Sequence, residues 1–131
     1  NKNKLPPLFI DGAHTKNSVK AAVAAFYETI GNKSEDCVLI FGAVKGKDVK
    51  SMAEILCPQF KKIIISKPGH FKPNNPKDVF DIFTSIKTNS ELFLLEDPQK
   101  ALDEAIRTNT PVFVTGSFYM VAEIRNLIEA L

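Results

Sequence analysis

The sequence predicts an α/β fold, a doubly wound and mostly parallel Rossmann-like sheet of five to six strands with helices on both faces. Two observations lead to this prediction. Short apolar runs without polar alternation are typical of strands that are covered on both faces, as in a parallel sheet. Patterns with one apolar helical face separate these runs in regular alternation. The predicted strands are Leu8–Ile10, Cys37–Phe41, Ile63–Ile65, Leu92–Leu95 and Val112–Val114.

Helices are indicated after each predicted strand by apolar residues at helical spacing. These stripes are most simply the sides of the helices that face the core. Three of the helices also begin with residues that favour helix starts, because a side-chain oxygen can accept from a free backbone N–H and proline fits the first turn. The predicted stripes and starts are Val19 to Ile30, Val49 to Leu56, Asn75-Pro76, Asp97-Pro98 and Ser117.

Composition limits the classes of protein that fit. The chain has 131 residues and is 44% apolar, which suits one domain with a real core. A net charge of +2, from 17 basic and 15 acidic residues, is too balanced to indicate binding to nucleic acid or to a membrane surface. No apolar run approaches the roughly 18 residues that span a bilayer. We expect residues 1–7 to be a linker stump without signal-peptide character and residues 8–131 to form the domain.

The two cysteines, Cys37 and Cys57, lie far from CxxC spacing. Such usage indicates reduced thiols in a cytoplasmic protein. No second pair of ligands accompanies either cysteine, so the sequence predicts no metal site in this chain.

Candidate functional residues follow the predicted strands. In an open parallel sheet, ligands bind outside the carboxyl ends of the strands. Asp11 could accept from ribose hydroxyls or hold a cation, and it could equally be a turn carboxylate. Gly12 would let the backbone approach a ligand. His14 could bind a phosphate or carboxylate or transfer a proton, while its simplest alternative is a solvated loop histidine.

Two further loops offer groups for anions. The segment from Gly42 to Asp48 is not a Walker loop, because three residues rather than four separate its glycines and Asp48 follows the last lysine. It is either a glycine-rich turn capped by Asp48 or a site where Lys45 and Lys47 meet an anionic substrate. Ser117 can cap the last helix, whose free N–H groups would also bind a carboxylate, and Tyr119 would face the same crevice.

Four segments in the right order, between Leu8 and Leu131, together resemble a known family. The sequence is similar to the C-terminal, glutamate-ligase domain of folylpolyglutamate and dihydrofolate synthases in the Mur ligase superfamily. The matching segments are Asp11-Gly12-Ala13-His14, Lys47-Asp48-Val49 with Met52, Glu96-Asp97-Pro98 with Ala101-Leu102, and Val114-Thr115-Gly116-Ser117-Phe118-Tyr119.

The resemblance implies an ATP-dependent ligation with Mg²⁺ as the metal. ATP would phosphorylate a carboxylate of a folate or dihydropteroate, and the amine of L-glutamate would attack the acyl phosphate. It also implies residue roles. Asp11, Gly12 and His14 would bind the nucleotide, with His14 as the catalytic residue near the phosphates. The incoming glutamate would be bound by Ser117, Tyr119, Lys45 and Lys47.

The chain departs from the family pattern in ways that bear on activity. Thr15 replaces an asparagine, Lys16 a proline and Gly46 an aspartate. The family's phosphate loop and main Mg²⁺ ligands lie in an N-terminal ATPase domain, which we expect to be the partner in cis. We therefore expect a fragment that does not turn over alone. The competing hypothesis is a stand-alone α/β module that binds a small molecule or protein without catalysis.

Overall fold

The structure is a computed structural model that describes residues 5–31, 36–70, 73–86 and 89–131. Strands and helices alternate along it as the sequence predicts. A short 3₁₀ helix, Cys57–Gln59, follows the second α-helix and was not predicted. The elements are β1 (Leu8–Ile10), α1 (Lys16–Ile30), β2 (Val38–Phe41), α2 (Val49–Leu56), β3 (Lys62–Ile65), α3 (Pro76–Ser85), β4 (Glu91–Leu94), α4 (Pro98–Ile106), β5 (Val112–Thr115) and α5 (Phe118–Glu129).

The described strands form one five-stranded sheet in the order β1-β5-β2-β3-β4, and every pairing is parallel. The chain moves outward from β2 to β4, and α4 then carries it back to insert β5 between β1 and β2. The inner strands begin at the same height in the sheet, since Val38, the first residue of β2, pairs with both Val112 of β5 and Lys62 of β3. This confirms the predicted doubly wound fold and makes the sheet entirely parallel.

Helices cover both faces of the sheet, and two apolar cores result. Successive side chains of a strand point to opposite faces, so Leu39 and Phe41 lie in one core while Val38 and Ile40 lie in the other. The first core is completed by α1, α2 and α3, and the second by α4 and α5. No helix within the described ranges is long and apolar enough to cross a membrane.

The predicted strand bounds need small corrections. β2 begins at Val38 rather than Cys37, and β4 ends at Leu94 rather than Leu95. β3, β4 and β5 also include a polar residue at one end, of which Lys62 and Thr115 are buried. Backbone pairing continues past the apolar run, and a search for apolar residues alone cannot detect that.

The expectation that every strand is covered on both faces is wrong for the two outer strands. β1 and β4 lie at the edges of the sheet, and their residues are only partly buried or exposed. The three inner strands are fully buried along their length. A continuous apolar run therefore indicates a parallel sheet without distinguishing its edges from its centre.

Side-chain caps fix the helix starts at the carboxyl edge. The predicted caps Asp48, Asn75, Asp97 and Ser117 each accept from a backbone N–H of the helix that follows. The first helix begins at Lys16, three residues before the predicted apolar stripe that starts at Val19, and Thr15 caps it. Its hydroxyl accepts from Ser18 N at 3.2 Å, and Ser18 Oγ accepts from Thr15 N at 3.1 Å. Thr15 is thus the N-cap of α1 in a capping box with Ser18.

The predicted division at residue 7 falls partly on residues 1–4, which lie outside the described residues. Pro7 already contacts the sheet, since its carbonyl oxygen accepts from Val112 N at 2.9 Å. Both cysteines are buried, and no disulfide joins them. Burial raises the pKa of the Cys37 and Cys57 thiols to about 11, with nearby Asp36 adding to the effect at Cys37. They are therefore neutral thiols at neutral pH.

Candidate functional site

A crevice of about 340 Å³ opens at the carboxyl edge of the sheet, where the loops after β1, β2 and β5 meet. The loop after β5 leads to α5 on one face, whereas those after β1 and β2 lead to helices on the other. This is the topological switch point at which open α/β sheets bind ligands. Five of the seven predicted site residues line the crevice, which is formed by His14, Val44, Lys45, Lys47, Ser117, Phe118 and Tyr119.

Backbone hydrogen bonds continue past the strand ends and fix the loops around the crevice. Asp11 N donates to Val114 O at 3.0 Å, and Gly116 N donates to Ala13 O at 3.0 Å. The buried hydroxyl of Thr115 donates to the same Ala13 oxygen at 3.3 Å. The positions of the side chains on these loops are therefore set by the sheet.

Glycines allow the loops to approach one another beneath the crevice. Gly116 has φ +114°, and a Cβ there would lie 2.5 Å from Gly42 O. A Cβ on Gly42 would lie 2.4 Å from the sulfur of Met120 and 2.9 Å from Ser66 O. No larger residue fits at either position without moving backbone, so this part of the Thr-Gly-Ser segment serves packing.

The β2–α2 turn is capped by Asp48, which is the first of the two interpretations that the sequence left open. Asp48 caps α2, accepting from Ser51 N at 3.2 Å and from Ser51 Oγ at 2.7 Å, and these hydrogen bonds hold its pKa below the usual range. Lys45 and Lys47 are exposed, and among the residues that the structure describes neither forms an ion pair. The turn is held by Lys45 N, which donates to Pro73 O at 2.8 Å.

Ser117 caps α5 and also lines the crevice. Its side chain is buried, and its Oγ accepts from Met120 N at 3.0 Å to cap α5. The hydroxyl proton is not used in that cap and can be donated to an anion. The remaining N–H groups of the first turn of α5 give this end of the helix partial positive charge.

His14 is held through one ring nitrogen. Its Nδ1 lies 3.1 Å from Gly12 O. Because a carbonyl oxygen can only accept, Nδ1 carries the proton in this hydrogen bond. Nε2 is then the ring nitrogen that remains for a ligand, as an acceptor in neutral His14 and as a donor in the imidazolium.

Asp11 and Gly12 lie beside the crevice rather than along its wall. The Asp11 carboxylate is exposed and accepts from Ala13 N at 2.9 Å, which is the turn role that the sequence left open. The ring of Phe118 occupies the space where a Cβ on Gly12 would be. Their proposed nucleotide roles stay predictions.

Val44 and Phe118 line the crevice and were not predicted as site residues. Phe118 is 67% exposed and is the first residue of α5. The sequence does hold a signal for it, since it follows the cap Ser117 directly and precedes the buried stripe that begins at Met120. Val44 lies between Gly42 and Lys45 and carries no comparable signal.

The described residues do not form a metal site by themselves. No group of three or more His, Cys, Asp or Glu side chains within them is placed to hold a metal ion. The two carboxylates nearest the crevice in sequence, Asp11 and Asp48, are both used in backbone turns or caps.

Known proteins share the family pattern and the fold of this chain. Residues 1–127 match the family described as dihydrofolate synthetase, C-terminal domain. The dihydrofolate synthase/folylpolyglutamate synthase of Bacillus subtilis (strain 168) is 24% identical over 124 residues, which are 95% of this chain and 28% of that protein. The chain thus spans less than a third of the length of this relative.

Solved structures show the same fold. Folylpolyglutamate synthase of Mycobacterium tuberculosis, complexed with ADP and AMPPCP, superimposes with a TM-score of 0.79 and 19% identity over 92% of this chain and 29% of that one. A bifunctional folylpolyglutamate synthase/dihydrofolate synthase with Mn, AMPPNP and L-glutamate bound superimposes with a TM-score of 0.75 and 18% identity, over 95% of this chain and 29% of that one. With the family match over nearly the whole sequence, the chain belongs to the dihydrofolate synthetase C-terminal domain family.

Proposed function

We propose that this chain is the C-terminal domain of an ATP-dependent ligase that joins L-glutamate to a folate or to dihydropteroate, and that its crevice receives the glutamate. One observation carries the proposal. Two exposed lysines, which form no ion pair among the described residues, converge with a buried serine and a helix N-terminus on one cavity. All of these groups favour an anion, and L-glutamate is bound in one similar synthase.

Each crevice residue has a definite chemical role in this proposal. Lys45 and Lys47 attract the carboxylates of glutamate into the site. Ser117 donates its hydroxyl proton to a carboxylate oxygen while its Oγ continues to accept from Met120 N. Tyr119 forms the adjoining wall. These contacts orient the amine of glutamate toward the acyl phosphate, and such orientation accounts for a large part of the rate in group transfer.

The nucleotide would lie on the β1 side of the crevice. His14 is the proposed catalytic residue, with Nε2 able to donate to a phosphate oxygen or to accept a proton from the attacking amine. Asp11 and Gly12 would contact the nucleotide from beside the crevice. ATP transfers its terminal phosphoryl group to the folate carboxylate, and attack by the amine then releases phosphate and a proton. Mg²⁺ would offset the charge of the phosphates, held mostly by an N-terminal ATPase domain in cis.

The test compares the native polypeptide with the 131-residue chain. The intact mass of the native polypeptide from its source cells should lie well above 14.5 kDa. Supplied with ATP, Mg²⁺, L-glutamate and either dihydropteroate or a folate, it should form ADP together with the glutamylated product. The 131-residue chain should form neither, because ATP contacts and exclusion of water need a second domain.

Two results would contradict this proposal. A native mass near 14.5 kDa without ligation would favour the stand-alone binding module. Ligation by the 131-residue chain alone would show that the crevice and its loops suffice for catalysis.

A further inference from the structure

We infer that Phe118 is a positioning residue for His14. Its ring fills the space that a Cβ on Gly12 would occupy, and it thereby fixes which imidazole nitrogen of His14 is available to a ligand. The contact stands on geometry alone. Its consequence for catalysis rests on the proposed ligase function, in which His14 serves the phosphates and the amine.

The ring of Phe118 lies directly on Gly12. A Cβ built on Gly12 would be 2.5 Å from Phe118 Cδ1 and 2.7 Å from Cε1. The same ring is 5.4 Å from the imidazole of His14 between centroids, with 51° between the two planes. Phe118 thus contacts both groups whose mutual geometry decides how His14 is held.

Core packing does not explain this phenylalanine. Its side chain is 67% exposed, whereas Met120 and Ile124 on the same helix are fully buried. The ring lines the crevice beside Ser117. A large apolar ring at the mouth of a charged crevice, seated on a glycine, is more consistent with shaping that crevice than with stabilising the domain.

The hydrogen bond from His14 Nδ1 to Gly12 O completes the arrangement. A solvated imidazole exchanges its proton between the two nitrogens, and the partner of one nitrogen sets the tautomer. In this inference Phe118, which contacts Gly12 and lies beside the imidazole, limits the rotation of His14 that would take Nδ1 away from Gly12 O. The Nδ1–H tautomer is therefore retained, and Nε2 is the nitrogen available for proton transfer.

The tautomer can be measured directly, since the chain contains only two histidines, His14 and His70. Long-range ¹H–¹⁵N correlation of the 131-residue chain, at a pH where imidazole is neutral, reports the proton position in each ring. His70 is exposed and serves as the internal reference. We expect wild-type His14 to be mainly the Nδ1–H form.

Four variants test the cause. Phe118→Ala should lower the ratio of Nδ1–H to Nε2–H at His14 about threefold or more, whereas Phe118→Tyr should retain it. Gly12→Ala should give the same fall, because its new methyl group displaces the ring. Leu131→Ala removes the other exposed large apolar side chain among the described residues, at the far end of the chain, and should change nothing.

The inference is overturned if wild-type His14 is mainly Nε2–H or if Phe118→Ala leaves the tautomer ratio unchanged. In the native polypeptide, Phe118→Ala should lower kcat of ligation more than it raises KM for L-glutamate, and Phe118→Tyr should restore kcat. Equal changes in both variants would contradict a positioning role. Absence of ligation in the wild-type polypeptide would remove the proposed function and leave the tautomer result standing.

Discussion

Lysines lie at both the carboxyl edge and the amino edge of the sheet. The two groups of lysines differ in burial and in whether an acidic side chain pairs with them. Lys62 begins β3 at the amino edge and is only 6% exposed, with its ammonium in an ion pair with Glu104. At the carboxyl edge Lys45 and Lys47 are exposed, and in the described part of the chain no acidic side chain pairs with either. One fold thus uses the same residue type in two ways.

The amino edge is a closed network. Glu104 also accepts from Arg107 Nη2 at 2.9 Å, and Lys62 Nζ lies 5.1 Å from the centre of the Phe93 ring. Hydrogen bonds from Arg107, and then from Lys62, lower the pKa of Glu104 to about 2. The charge of Lys62 is thus compensated within the protein, whereas the proposed function assigns the exposed charges of Lys45 and Lys47 to an anionic ligand.

The largest expected loss of stability comes from disturbing the close backbone packing at the carboxyl edge, without changing any charge there. Gly116→Ala should lower the free energy of unfolding by about 3 kcal/mol or more, because the methyl group would meet Gly42 O at 2.5 Å. The matched control is Gly31→Ala, which also has positive φ but nothing within 4 Å, and should cost about 1 kcal/mol. Urea denaturation measures both, and equal losses would mean that close approach is unimportant.

Removing the acid at the amino edge should have the next largest effect. Glu104→Ala removes the carboxylate that pairs with the buried ammonium of Lys62, which among the described residues keeps only the backbone oxygen of residue 104 as an acceptor, and should cost about 2–3 kcal/mol of unfolding free energy. Asp81→Ala is the control, because its ion pair with Lys77 is exposed on α3 and should contribute below about 0.5 kcal/mol. Similar losses in the two variants would show that burial of Lys62 adds nothing.

Acid should weaken the amino edge in a defined range of pH. The Glu104 pKa is lowered on folding from 4.5 to about 2, so its contribution to stability is full above pH 4.5 and is lost as the pH falls toward 2. The difference in unfolding free energy between wild type and Glu104→Gln should shrink across that range. A difference that stays constant from pH 6 to about pH 2 would contradict the ionised network.

A smaller loss of stability is expected when the cap of α5 or of α4 is removed, and activity should distinguish the two variants. Ser117→Ala and Asp97→Ala each remove a side chain that accepts from a backbone N–H, and each should cost about 1 kcal/mol. Only Ser117 lines the crevice. In the native polypeptide, Ser117→Ala alone should raise KM for L-glutamate, and an equal rise in Asp97→Ala would assign the effect to stability.

Much of the fold could be predicted because local patterns determine it. Apolar runs located all five strands within one residue at each end, and Asn75, Asp97 and Ser117 marked helix starts correctly. Which strands lie at the edges could not be predicted, since strand order depends on how α4 crosses the sheet. The burial of Lys62 could not be predicted either, because its partner Glu104 is distant in sequence.

The candidate site could be predicted in part. The rule that ligands bind at the carboxyl edge selected five residues that line one crevice: His14, Lys45, Lys47, Ser117 and Tyr119. Asp11 and Gly12, to which nucleotide roles were assigned, are not among the residues that line the crevice, and the Phe118 ring lies against Gly12. A contact between residues about a hundred positions apart leaves no local signal in a single sequence.

The most direct measurement is the dependence of ligation by the native polypeptide on L-glutamate in wild type and in the double variant Lys45→Ala/Lys47→Ala. Both lysines are exposed, so the double variant should keep its unfolding free energy within about 0.5 kcal/mol. KM for L-glutamate should rise about tenfold or more, with KM for ATP much less affected. An unchanged KM for L-glutamate in the folded variant would contradict the assignment of this crevice to the glutamate.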